Sequence, residues 1–298
     1  MIRDHHLGAP APFVVCFPRS GSTLLRLMLD AHPDLAIPAE THFCRLFQSQ
    51  LLQSTVTAHI REAIFQEIVG SQRWQDFKLS QSEFRNYLDG VPDGVPSYRC
   101  LVAFWKFYAQ KQGKTRWGDK TPSHILCVPA IASTIPESRF VHIVRDGRDI
   151  ACSMRNSWFG RGATVSELAR DWSDRLIRFT EVAGTLSDRL VTIRYEDVIC
   201  DPEPALRSIC KFIALEYQPA MLAYFQRAEA RLAELSDLKM GARVATKAER
   251  TGIHARTSSP PTRDRIGRWQ KELSEEELRA FEGIAAEALT LYGYEVSC

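Results

Sequence analysis

Short apolar runs that end in turn or basic residues recur at residues 13–17, 139–144 and 190–194, and each is followed by apolar positions at helical spacing. Strand followed by helix, repeated in this order, predicts an α/β domain with a central parallel sheet and flanking helices. Residues 41–112 follow a different rhythm. The strings HFCRLFQSQLLQ and RCLVAFWKFYAQ have helical periodicity, broken by the Gly/Pro-rich DGVPDGVP at 89–96. This predicts a helical insertion over one end of the sheet, covering residues 43–116. Further helices are predicted over 125–133, 148–156, 165–186, 204–213 and 274–291, the last opened by Ser274 as a cap with Glu277 three residues on. Ahead of that last helix, residues 242–268 are rich in Arg, Lys, Thr, Ser and Pro and read as a mobile basic loop. No internal repeat or heptad array is visible.

The 298 residues are read as one domain, and 45% hydrophobic content with 10% aromatic residues suffices for a buried core. A net charge of +2 is too balanced for a general nucleic-acid binder, so anion recognition is expected from a few placed basic groups. The eight cysteines lie far apart with no CxxC pair, mostly in apolar runs, and are expected to be buried free thiols. Neither His124 nor the His5–His6 pair has the partner spacing of a metal site, and no metal is expected. The opening MIRDHHLGAPAP lacks an apolar signal core, and no run approaches the roughly 20 apolar residues of a membrane span. A soluble cytoplasmic protein is expected.

Candidate chemistry starts in FVVCFPRSGSTLL, residues 13–25, where a strand feeds a glycine-containing turn into a helix. Such a turn aims backbone N–H groups and the helix dipole at one spot, where an anion can sit. Against the nucleoside-triphosphate pattern G-x-x-x-x-G-K-[ST], Gly21 and Thr23 match, while Cys16 replaces the first glycine and Ser22 the lysine. The clamp for β- and γ-phosphates is therefore missing. Arg19 supplies charge, Ser20, Ser22 and Thr23 supply neutral donors, and Leu24 opens the helix behind them: a set suited to a single phosphate or sulfate group. A second anion site is expected in FVHIVRDGRDIACSM, residues 140–154. There Arg145 at a strand tip and Ser153 on the following helix are placed to share one phosphate, with Arg148 or Asp149 bracing the turn.

PRSGSTLLRLMLDAHPDLAIPAET resembles the 5′-phosphosulfate loop of sulfotransferases that use 3′-phosphoadenosine 5′-phosphosulfate (PAPS), and is especially similar to their tyrosylprotein and bacterial branches. The resemblance implies a fold like that of P-loop nucleotide kinases and a PAPS donor bound without metal. It gives Arg145 and Ser153 to the 3′-phosphate. RYEDV at 194–198 resembles the segment whose tyrosine, here Tyr195, lies near the adenine. RDRIGRW at 263–269 resembles the late loop that closes over the nucleotide, with Arg263 or Arg265 and the Gly267 backbone near the 3′-phosphate.

Sulfuryl transfer needs a base for the acceptor proton and cations where charge grows on the leaving phosphate. In PAETHF, Glu40 precedes a threonine as the catalytic glutamate does in the tyrosylprotein relatives. GDKTPSH resembles the segment that gives a lysine to the bridging oxygen, here Lys120, with Arg19 sharing the charge. His42 is a rival base, because its ordinary pKa suits proton transfer near neutrality. The competing readings are a small-molecule kinase, opposed by the missing loop lysine and by the lack of a clear Mg²⁺ carboxylate, and a non-catalytic nucleotide-binding protein, opposed by the joint presence of Glu40 and Lys120. Residues 43–116 are expected to read the acceptor. Their aromatics permit an apolar or aromatic group and leave lipid, sugar, phenol, alcohol and peptide tyrosine open, as the sequence leaves the oligomeric state open.

Overall fold

The computed structural model describes residues 8–155, 157, 160 and 162–297; His5, His6, Asn156 and Cys298 lie outside the described residues. Its strands are β1 (Ala11–Val15), β2 (Leu35–Ala36), β3 (Arg116–Trp117), β4 (Asp119–Lys120), β5 (Ser138–Val144), β6 (Leu190–Arg194), β7 (Leu238–Met240) and β8 (Arg243–Ala245). The central sheet has the order β4-β1-β5-β6 and is parallel throughout, as the strand-helix alternation predicts. β2 and β3 form a small parallel pair, β7 and β8 an antiparallel hairpin.

β1 is buried along its whole length, which is why it reads as an unbroken apolar run. Its side chains still alternate between two cores. Ala11, Phe13 and Val15 face one core; Val14 and Cys16 face the other. Phe13 is the hub of the first: its ring centroid lies 5.7 Å from Trp105, 6.1 Å from Trp117 and 6.4 Å from Phe47.

Seven helices frame the site: α1 (Ser22–Asp30), α2 (Tyr98–Lys111), α3 (Gly147–Arg155), α4 (Val165–Ala183), α5 (Tyr195–Cys200), α6 (Lys247–Gly252) and α7 (Glu275–Leu291). α1 and α5 cover one face of the sheet; α2, α4 and α7 cover the other. Ser274 and Glu277 close a capping box on α7, and Thr164 with Glu167 does the same on α4. Helices Cys44–Phe47, Ala58–Val69 and Gln81–Asp89 join α2 in the segment 43–116. Phe43, Phe47, Trp74, Phe77, Phe84, Phe104 and Trp105 are buried there as core. No helix among the described residues is long and apolar enough to cross a membrane.

Three expectations are corrected. The helix expected over 125–133 is a 3₁₀ turn, Pro122–Cys127, followed by Val128–Thr134, because Pro122 and Pro129 each open a new helical segment. The basic segment 242–268 holds β8, α6 and two 3₁₀ turns, since Thr246 and Glu249 form a capping box that starts α6. The cysteines are not all buried free thiols: Cys44 and Cys127 are joined in a disulfide and Cys200 is exposed. That disulfide joins residues 83 apart, which spacing alone does not reveal.

α1 ends on a buried charge cluster. Asp30 accepts the Ile37 N–H at 2.9 Å and lies 2.8 Å from Arg231 Nε and 3.8 Å from Lys114 Nζ. Burial would raise the Asp30 carboxyl, but Arg231, Lys114, Arg26 and that N–H outweigh it and hold the group below its ordinary 3.8. A depressed pKa contributes stability above the unfolded value, lost as pH falls through the folded one. Asp30→Asn should therefore cost about 3–5 kcal/mol at pH 7, and the deficit should shrink once the pH drops below 3.8. Urea unfolding of both proteins across that range checks it, and a deficit independent of pH would contradict it.

Candidate active site

β1 delivers the chain into a loop whose backbone is set by two positive φ angles, 71° at Arg19 and 91° at Gly21. Gly21 caps α1 without a side chain. It is needed twice over, because a Cβ at this position would stand 2.4 Å from Cδ2 of Tyr195. Tyr195, first residue of α5, thus forms the wall against which the loop turns. Ser20 Oγ is buried and has no partner among the described residues, a donor free for a ligand. Burial pushes the Cys16 thiol beneath the loop up to about 12.

The basic groups crowd against this loop from several elements. Arg19 Nε donates to Ser153 Oγ on α3 at 3.1 Å, and its Nη2 donates to the Ile253 carbonyl at 3.4 Å. Burial, and then Arg145, push the Arg19 guanidinium down to about 10. Arg145 donates to the carbonyls of Arg19 at 3.2 Å and Arg265 at 2.6 Å, and its guanidinium lies 4.3 Å over the Tyr195 ring. Its buried Nε has no partner among the described residues. Asp149 accepts the N–H groups of Gly267 at 2.9 Å and Trp269 at 3.1 Å and so ties down the late loop, while Arg148 grips Asp146 and Glu282. Burial raises Asp149 to about 6.

Arg145, Ser153, Arg19, Tyr195 and the 265–267 backbone therefore meet at one place. The Arg263 side chain does not join them; it donates to the Cys200 carbonyl at 3.3 Å. The Arg265 guanidinium lies 3.7 Å from Asp264. Leu24 is buried in the core behind α1.

On the other side of the loop, Lys120 Nζ lies 2.6 Å from Glu40 Oε1 and 3.3 Å from Thr23 Oγ1. Lys120 is 3% exposed and the Glu40 side chain 25%, so the pair opens outward at the carboxylate. The other oxygen of Glu40 lies 3.0 Å from His42 Nε2, and Arg73 reaches both, at 3.0 Å from His42 Nε2 and 3.9 Å from Glu40. Burial alone would raise Glu40; Lys120, His42 and Arg73 outweigh it and hold the carboxyl well below its ordinary 4.5. Burial lowers the Lys120 ammonium from 10.5 despite Glu40.

Arg73, Asp119, His124 and His254 were not singled out as site residues from the sequence. Asp119 and His124 flank Lys120 within GDKTPSH, so the signal lay in the motif itself; they meet beneath Thr41. Arg73 lies in the helical segment, without a motif. His254 follows the residue that holds Arg19; burial, with Lys120 and Arg19 nearby, pushes it down to about 3 and keeps it neutral. Cys44, His124 and Cys127 have potential metal-ligating atoms within 4.8 Å of one another, but the disulfide takes both sulfurs.

The sequence profile of the Sulfotransferase family matches residues 10–219. The chain is 26% identical over 291 residues to a putative protein-tyrosine sulfotransferase of Caenorhabditis briggsae, covering 96% of this chain and 89% of that protein. It is 25% identical over 223 residues to protein-tyrosine sulfotransferase 1 of Danio rerio, covering 72% of this chain and 55% of that protein, so it spans about half of that relative's length. Among solved structures, the sulfotransferase domain of the Synechococcus PCC 7002 olefin synthase superposes with a TM-score of 0.59 at 20% identity, covering 100% of this chain and 99% of that one. That likeness shows the fold.

Gly21→Ala should be destabilising through two separable effects. The positive φ costs about 1–2 kcal/mol for a residue with a Cβ, and the clash with Tyr195 adds to it. In a Tyr195→Ala background only the first should remain, so the penalty for Gly21→Ala should be smaller there. Urea denaturation of the four proteins measures this; equal penalties in both backgrounds would show that the ring does not press on the loop.

Proposed function

Since this chain belongs to the sulfotransferase family, matched over residues 10–219, we propose that it transfers a sulfuryl group from PAPS to an acceptor hydroxyl or amine. The observation that carries the reading is the Lys120–Glu40 pair at the mouth of a phosphate loop that lacks the triphosphate lysine. The 5′-phosphosulfate is assigned to the loop, with Arg19, the Ser20 hydroxyl, Ser22, Thr23 and the first N–H groups of α1 as donors. The 3′-phosphate is assigned to Arg145 and Ser153, beside the Arg265–Gly267 backbone, with Tyr195 toward the base. Family membership leaves the kinase reading without support.

In the transfer, the acceptor oxygen bonds to sulfur as the bond from sulfur to the phosphate oxygen breaks. Glu40 takes the acceptor proton, and Lys120 and Arg19 meet the negative charge left on the phosphate. A carboxylate held far below neutrality is ionised but a weak base. Once Lys120 turns from Glu40 to the donor's bridging oxygen, the main charge depressing Glu40 is drawn away and its basicity rises. Donor binding thereby primes the base. Arg73 is assigned to the acceptor side of this pair, a reading supported by its reach to both Glu40 and His42 from the segment 43–116.

Adenosine 3′,5′-bisphosphate should bind by calorimetry with the same affinity in EDTA as in Mg²⁺. Arg145→Ala should weaken it by about 1.5–3 kcal/mol and leave the analogue lacking the 3′-phosphate nearly unaffected. A strict Mg²⁺ requirement would sink the reading, and equal weakening of both ligands would make Arg145 structural.

Glu40→Gln should bind the bisphosphate normally yet lose about 100- to 10,000-fold in turnover of labelled PAPS, with His42→Asn milder. The reverse ranking would move the base to His42.

A further inference from the structure

Glu40 and Lys120 are held in a closed ring of contacts. Lys120 is peptide-bonded to Asp119 and Glu40 to Thr41. Across the ring, Lys120 Nζ meets Glu40 Oε1 at 2.6 Å, and Thr41 Oγ1 donates to Asp119 Oδ2 at 2.7 Å. A second strand of contacts runs parallel to the first. His124 Nε2 accepts the Phe43 N–H at 3.1 Å, which leaves the imidazole proton on Nδ1, 2.9 Å from Asp119 Oδ1. The Thr41 N–H donates to Thr121 Oγ1 at 3.0 Å, and Trp105 Nε1 donates to Asp119 Oδ2 at 3.3 Å.

Asp119 and His124 are both 0% exposed. A buried carboxylate requires such donors, yet an apolar side chain would fill the same space without that demand. The donors here are not scattered. Thr41 and, through His124, Phe43 lie on either side of His42, whose φ of 55° puts the chain in the left-handed region between them. We propose that Asp119 is a positioning residue for catalysis: by holding Thr41 directly and Phe43 through His124, it fixes the chain at Glu40, so that the carboxylate meets Lys120 in the unliganded site and stays in place when Lys120 turns to the donor. The inference rests on the reading of Glu40 and Lys120 as the reacting pair.

Thr41→Val deletes the ring-closing hydroxyl and keeps the shape, whereas Thr41→Ser retains it. One readout is consumption of PAPS with water as acceptor. The other does not depend on activity: the titration of Glu40, followed by carbon-13 NMR of labelled glutamate carboxyls and identified by its loss in Glu40→Gln. Thr41→Val should slow PAPS consumption on the order of 10- to 100-fold and raise the Glu40 midpoint by about 1 in pH as Lys120 loses its hold. Affinity for adenosine 3′,5′-bisphosphate should stay within about twofold, since Thr41 touches none of the phosphate donors and Lys120 keeps its charge beside the loop. Thr41→Ser should match the wild type on all three. Asp119→Asn should reproduce the valine variant, with little further loss when the two are combined.

The proposal is overturned if Thr41→Val leaves the Glu40 midpoint in place, if serine fails as badly as valine, or if turnover and bisphosphate affinity fall together. Should the wild-type protein bind no adenosine 3′,5′-bisphosphate, the sulfuryl-transfer reading fails, and the titration still decides whether Asp119 and Thr41 position Glu40.

Discussion

The contact between Lys120 and Glu40 joins two parts of the chain that the fold delivers separately. Lys120 comes from the edge strand β4, at a height fixed by its register opposite Val14; Glu40 comes from the chain that follows α1. An ammonium 3% exposed must meet an anion or lose several kcal/mol of hydration without return. That requirement draws the Glu40 segment in against the phosphate loop. The same rule recurs around the molecule, with Asp30 against Arg231, Asp146 against Arg148 and Asp76 against Arg250. Asp30–Arg231 and Asp76–Arg250 join elements far apart in sequence, and Asp146–Arg148 braces a single turn, so charge pairing as well as apolar packing sets the geometry around the site.

The central sheet was legible because β1, β5 and β6 are apolar runs long enough to read, and the loop was legible because few residue types permit its turn. Gly21 marked a backbone conformation, and Arg19, Arg145 and Ser153 marked charge at strand ends. Most of what escaped had no local signature. β2, β3 and β4 are two residues each, too short for any period to show. Arg73 reaches Glu40 from a segment whose composition says only that it is helical and aromatic. Asp119 and His124 stood in plain view beside Lys120, but their role depends on Thr41 and Phe43, about 80 positions away in sequence. The side chain of Arg263 shows the converse: a basic residue in a matching motif that turns instead to a backbone carbonyl at Cys200.

The helical segment and the basic segment over the loop are linked by one buried pair. Asp76, 1% exposed, takes Arg250 of α6 on both carboxylate oxygens, at 2.9 and 2.6 Å, and accepts the Ser236 N–H at 2.8 Å. α6 leads directly to Ile253, which accepts from Arg19, and to His254. The helical segment and the basic segment are therefore continuous through Asp76 and Arg250.

The Cys44–Cys127 bond gives the helical segment a different kind of boundary. It closes the chain on itself just beyond Glu40 on one side and just beyond Lys120 on the other, so everything from 45 to 126 belongs to one covalent circle. A protease that cuts within that circle, even at the exposed turn around 89–96, leaves the two pieces in a single molecule, separable only after reduction. A single cut anywhere between 45 and 97 therefore leaves β3, β4 and α2 tethered to the strand that carries the phosphate loop.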